Sequence, residues 1–203
     1  MPYVLTVDQI DSRTSGDLVA GVLEQLSTTP TVLPFTRTVG DEFQGLLEDP
    51  LSVVDVILSL MRAAHWHIGL GIGSVQTLTS SDPRAARGDA FIAARTAVER
   101  AKTEPSHLVV ATPGDDDPDA TDVETVFRLV GAVRTRRTES GWEAVDLLNQ
   151  GQTQAEAAAR LSITRQALGQ RAQAANWALE QAATPTLVRL LRRTEQLATG
   201  ATP

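Results

Sequence analysis

The 203-residue chain contains no cysteine, which excludes disulfides and thiolate-bound zinc. It also lacks any apolar run approaching the roughly 20 residues of a membrane-spanning helix. The opening residues hold no basic region followed by an apolar segment, because Asp8 and Asp11 come too early for a signal peptide. A soluble, cytoplasmic protein with no membrane partner is therefore expected. Positive charge is in deficit as well, with 18 Lys/Arg against 25 Asp/Glu and a net charge of −7. That balance disfavours a globally basic nucleic-acid binder, although it leaves room for a local basic face. What is present is a hydrophobic fraction of 42%, enough to build the core of one or two domains.

The acidic charge is unevenly placed. Residues 1–138 carry 12 Lys/Arg and 19 Asp/Glu, whereas residues 139–203 carry 6 of each. An acidic front and a neutral back point to two modules with different partners. The boundary is expected at Pro113-Gly114-Asp115-Asp116-Asp117-Pro118-Asp119, a charged breaker. A Ca²⁺ loop is the sharper reading of those aspartates, but the glycine and terminal Glu spacing of an EF-hand is missing. The domains expected are thus residues 1–112, an acidic linker and connecting helix over 113–138, and a second domain over 139–203.

The first module is organised around Arg37-Thr38-Val39-Gly40-Asp41-Glu42-Phe43-Gln44-Gly45-Leu46-Leu47. β-prone residues, a Gly-acid turn and a returning apolar run read as a tight hairpin, with Gly40 free to take positive φ. Asp41 and Glu42 then stand at its tip. The first apolar run, Tyr3 to Val7, ends on Asp8. If that run pairs beside the hairpin, Asp8 and Asp41 face one place and offer hard oxygens to a divalent metal and a triphosphate. The plainer alternative is a solvated turn.

Around the hairpin, helices are expected over residues 16–27, 51–64 and 88–102, from apolar residues recurring on one face. Leu51, Val54, Leu58 and Met61 form the stripe of the second. Trp66 to Val75 alternates as a strand whose glycines leave space for a ligand or a neighbouring backbone, and His107 to Ala111 is the next strand. Residues 77–87 read as a loop. The order fits an α+β, ferredoxin-like βαββαβ core with additions, an antiparallel sheet covered by helices on one face. A connecting helix over 121–136 ends in Arg134-Thr135-Arg136-Arg137, which suits either phosphate or a helix C-terminus. His65 and His67 have a spacing that can hold a metal, but with no further ligand nearby they read as structural or surface residues.

The tail carries the sharper motif, Thr153 to Arg171. Thr153 and Glu156 form a capping box, Ala158 is small where two helices approach, and Leu161, Ile163 and Leu168 make an apolar triangle. Thr164 caps the next helix. The pattern is that of a helix-turn-helix, with Ser162 where such turns often carry glycine and Thr164, Arg165, Gln166, Gln170 and Arg171 exposed toward double-stranded DNA. Trp142, Val145 and Leu148 belong to a helix packed behind, Trp177 reads as core, and residues 185–197 form a further amphipathic helix. A plain three-helix bundle is the alternative.

Across nearly all its length the chain resembles the SatD family, a bacterial group combining a cyclase-like domain with a helix-turn-helix. The residues that carry the likeness are Asp8 to Arg13, Gly40 to Gln44, Ile68 to Gly73, Gly88-Asp89-Ala90-Phe91, and Trp142 to Trp177. More remotely, the front half is similar to nucleotide cyclase and GGDEF-type domains. The resemblance implies Mg²⁺ with a nucleotide: Asp8, Asp41 and Glu42 at the metal, and Gln9, Ile10, Ser12, Arg13, Gly40 and Arg95 around the nucleotide. Val39 stands where an active GGDEF turn has its first glycine, and Phe91 and Ile92 where a cyclase helix has Asn. No catalytic residue is therefore assigned. The reading is a DNA-binding transcriptional regulator whose degenerate cyclase-like domain dimerises and senses a nucleotide. Its rivals are a metal-dependent nucleotide cyclase or processing enzyme with a regulatory helix-turn-helix, and a ligand-free dimer platform.

Overall fold

The computed structural model describes residues 3–76, 83–114, 117–198 and 200. Much of the expected loop over 77–87, and Asp115 and Asp116 of the expected linker, lie outside them. The chain forms two compact units, Met1–Arg128 with Leu187–Pro203, and Leu129–Thr186. The packing divides the chain inside two helices.

The first unit is built on β1 (Tyr3–Gln9), β2 (Leu33–Arg37), β3 (Glu42–Leu47), β4 (Trp66–Ile72) and β5 (Leu108–Ala111). They form one sheet in the order β2-β3-β1-β4-β5. β1 runs antiparallel to both β3 and β4, and β2 antiparallel to β3. β5 is parallel to β4, so the sheet is mixed rather than antiparallel. The cause is the helix between them, which carries the chain back to the starting end before β5 begins.

Between the strands come α1 (Ser12–Ser15), α2 (Val19–Leu26), α3 (Pro50–Ala63) and α4 (Asp89–Ala101). α3 starts on Asp49, whose side chain accepts from the Ser52 N–H, with Pro50 in the first turn. Its buried face is wider than a single stripe and includes Val53, Ile57 and Leu60, while Leu51 remains 45% exposed.

α4 lies directly on β4. A Cβ at Gly71 would stand 2.1 Å from the Ala90 carbonyl oxygen, and one at Gly69 2.3 Å from the Val98 nitrogen. The strand glycines therefore make room for a neighbouring backbone, and Ala90, Ala94 and Ala97 keep the helix equally close. Ile68, Leu70 and Ile72 alternate to the opposite face and are fully buried too. The sheet is thus covered on both faces, not one.

The helical unit contains α6 (Glu139–Asn149), α7 (Gln154–Arg160) and α8 (Arg165–Ala174), together with parts of α5 (Pro118–Arg134) and α9 (Trp177–Ala198). Ala144, Leu147, Leu148, Ala157, Ala158, Leu168 and Ala172 form its core. Arg134 and Arg137, read from sequence as a helix terminus, are buried. Both bind the carboxylate of Glu180, both stack on Trp142 within 4.9 Å, and Arg137 Nε donates to the Ala175 carbonyl. Trp177 is half-buried at the start of α9, where its indole donates to Asn149 at 2.9 Å. α9 is one helix that continues through Pro185, where a shorter helix over 185–197 was expected.

Candidate functional site

The β2–β3 turn closes as the sequence suggested. Gly40 takes φ +61°, and Thr38 N–H donates to the Glu42 carbonyl at 2.9 Å. Glu42, however, is not at the tip. It opens β3, is buried, and is the register partner of Asp8 on β1. Asp41, next to it, is half-buried. Asp8 thus meets both hairpin carboxylates at one end of the sheet.

The electrostatics follow from that convergence. Burial holds the Asp8 carboxyl above its ordinary range. Lys102 opposes the rise, while Asp41 and Glu42 add to it. Lys102 Nζ lies 3.6 Å from Asp8 and 3.0 Å from Glu99. Glu42 accepts from the Thr38 hydroxyl at 2.5 Å and has Arg95 at 4.0 Å. α4 and the residue after it thus bring side-chain cations toward Asp8 and Glu42. Among the described residues no group of three His, Cys, Asp or Glu is placed to hold a metal ion. Asp8, Asp41 and Glu42 are the hard-oxygen donors that this end of the sheet brings together.

The residues expected around a nucleotide divide in two. Gln9, Ser12 and Gly40 line one cavity of about 300 Å³, together with Asp17, Arg37 and Asp41, the last expected at the metal. Arg37 contacts both oxygens of Asp17 at 2.6 and 2.7 Å and the Gly40 carbonyl at 3.0 Å. That ion pair was not read from sequence, since 20 residues separate its partners. Gln9 is a clamp as well as a wall. Its amide donates to Ser15 and to the Gly16 carbonyl and accepts from the Leu18 N–H. Ile10 N–H donates to the His65 carbonyl, so it is not free for phosphate. Arg13 is exposed on the α1 turn. Arg95 stands by Glu42 and is absent from the cavity wall. A larger cleft of about 530 Å³, lined partly by Glu48, Asp49, Arg192 and Glu195, contains none of the sequence-predicted residues.

His67 does not pair with His65. It meets His107, with the two Nδ1 atoms 3.2 Å apart, and its Nδ1 also lies 3.3 Å from the Ala101 carbonyl. Burial, then the neighbouring His107, lowers the His67 pKa. β4 and β5 run side by side, so these two residues are neighbours in space though distant in sequence.

In the helical unit, α7 opens on the expected capping box, Thr153 with Glu156. The chain then turns through Ser162, at φ +55°, and Thr164 caps α8 by accepting from the Ala167 N–H at 3.1 Å. Leu168 faces inward, with Leu161 and Ile163 packed against the same core. Thr164, Arg165, Gln166 and Gln170 are exposed. Arg171 is half-buried and its Nη1 lies 3.1 Å from Glu143. It buttresses α6 and is a poorer candidate for DNA than its neighbours. No protein-family model, curated protein or solved structure matches this chain.

Proposed function

We propose that the protein is a DNA-binding transcriptional regulator. Its helical unit reads double-stranded DNA through α8, the second helix of a helix-turn-helix, and its sheet unit is a degenerate ferredoxin-like domain of cyclase type that dimerises and senses a nucleotide. The observation that carries the reading is the α7–α8 pair: two capped helices, a left-handed Ser162 between them, and a polar outer face on the second. A helix so presented enters the major groove with its first turn at the base edges. There Arg165 pairs bidentately with guanine, Gln166 and Gln170 with adenine, and Thr164 with phosphate. In the sheet unit, the order β2-β3-β1-β4 with antiparallel neighbours supports a βαββαβ core to which β5 is added. The cavity beside Gly40 and Ser12 supports a small-ligand role for that unit. Lys102 beside Asp8 favours sensing over turnover. Two copies are needed, because one small recognition helix seldom gives specific affinity alone.

The test is selection of duplexes from a random-sequence pool by the full chain, followed by binding titrations with Arg165→Ala. The wild type enriches a sequence, and Arg165→Ala loses about tenfold in discrimination at one base position, the scale of a lost bidentate contact. A wild type that enriches nothing refutes the reading.

A further inference from the structure

The chain has three histidines, and two of them meet nitrogen to nitrogen although 40 residues separate them. They stand in a row at one end of the sheet. Glu42 on β3 is the register partner of Asp8 on β1, and Asp8 that of His67 on β4. His107 extends the row, because it precedes Leu108, the parallel partner of Ile68. Both imidazoles are half-buried, so solvent reaches the pair. Two neutral rings in contact through Nδ1 share one proton there, and one Nδ1 is a bare lone pair. The Ala101 carbonyl, 3.3 Å from His67 Nδ1, can only accept, which puts that proton on His67.

The spacing suits a metal ion as well as a proton. Tetrahedral Zn²⁺, with Zn–N bonds of about 2.0–2.1 Å, sets two ligand nitrogens about 3.3 Å apart. The two Nδ1 atoms lie 3.2 Å apart. The surroundings favour a cation. α4 ends at Ala101 and directs the negative end of its dipole here, and Asp8 is next in the row. Lys102 opposes, but its ammonium is already held by Glu99 at 3.0 Å and Asp8 at 3.6 Å. Burial, then His107, lowers the His67 pKa, which keeps the ring a neutral ligand.

We propose that His67 and His107 bind a nitrogen-preferring divalent metal ion, of which Zn²⁺ is the type, through their two Nδ1 atoms. The Ala101 carbonyl oxygen and water fill the remaining positions. On binding, the His67 proton moves from Nδ1 to Nε2, so both rings offer a lone pair and the pair loses no proton. Imidazole selects an ion of this class, whereas the oxygens of Asp8, Asp41 and Glu42 suit a harder one. The site stands whether or not the protein binds DNA or a nucleotide.

The test is calorimetric titration of the full chain, freed of metal by chelation, with Zn²⁺ at neutral pH, while nitrogen NMR follows the histidine rings. Zn²⁺ binds once per chain, shifts Nδ1 of His67 and His107 but not of His65, and is not displaced by excess Mg²⁺. His67→Gln and His107→Asn each weaken binding by more than the roughly tenfold that losing even a hydrogen-bond partner of a ligand costs. Asparagine is chosen at 107 because it tolerates the left-handed φ of +52° there. His65→Gln, at an exposed position, binds as the wild type does. The ring shifts are read on the wild type, so they decide the matter even where a substitution disturbs the fold. No heat and no Nδ1 shift at millimolar Zn²⁺ overturns the proposal. So does a shift confined to His65, or displacement by Mg²⁺, which would put the ion on the carboxylates.

Discussion

Asp8 shows at single-residue scale how this site spends stability. A carboxylate beside Glu42 and Asp41 is costly to ionise in a partly buried place, and Lys102 offsets only part of that cost. Because the folded state raises its pKa, the proton is held more tightly in the folded protein than in the unfolded chain. The stabilisation is complete below the ordinary carboxylate range and is lost as pH rises through the raised value. Asp8→Asn removes the ionisation and leaves Lys102 with Glu99 at 3.0 Å. The variant is therefore expected to melt at or above the wild-type temperature at pH 7, with the difference closing below about pH 4. Thermal melts of both proteins across that range check it. A clearly lower Tm for Asp8→Asn at pH 7 would mean that the Lys102 pair outweighs the repulsion.

Among the elements, the α4–β4 contact governs the sheet unit. Gly69 and Gly71 allow a helix backbone to lie on a strand backbone, and neither partner can retreat without opening the core around Val4, Leu46 and Ala94. Gly71→Ala puts a methyl 2.1 Å from the Ala90 carbonyl. Overpacking of that kind costs about 3 kcal/mol, the upper end for an inserted methyl, because backbone must move. Denaturant titration should show the loss with an unchanged m-value. The glycine pattern was legible in the sequence as a request for space, and the period-2 runs marked the strands. Which neighbour fills the space was not legible. Periodicity describes one element at a time, and the helix that claims Gly71 starts eighteen residues later, at Asp89. The same limit hid the partners of Arg134 and Arg137, since Glu180 is 46 and 43 residues downstream. It also hid the meeting of His67 with His107. Local chemistry read better: Thr153 with Glu156, and Thr164 as a cap, are interactions within one turn, and the sequence holds everything needed to form them.

On the proposed DNA-binding function, the charge of the whole molecule sets how it would meet DNA. Residues 129–186 contain 6 Arg against 5 Asp/Glu, so the helical unit is at +1 and the remaining residues hold −8 of the total of −7. Non-specific affinity comes from neutralised phosphates, and an acidic body contributes repulsion that salt screens beyond about 8 Å at physiological strength. Within the helical unit, Arg134 and Arg137 are bound to Glu180 and Arg171 to Glu143. Arg136, Arg160 and Arg165 remain exposed. Each phosphate neutralised adds about 0.9 to the slope of log K against log salt, so these arginines allow a slope no steeper than about −3 per protomer. Titrations of the selected duplex between about 50 and 200 mM salt measure it. A slope steeper than about −5 per protomer would require phosphate contacts outside α8 and its neighbours.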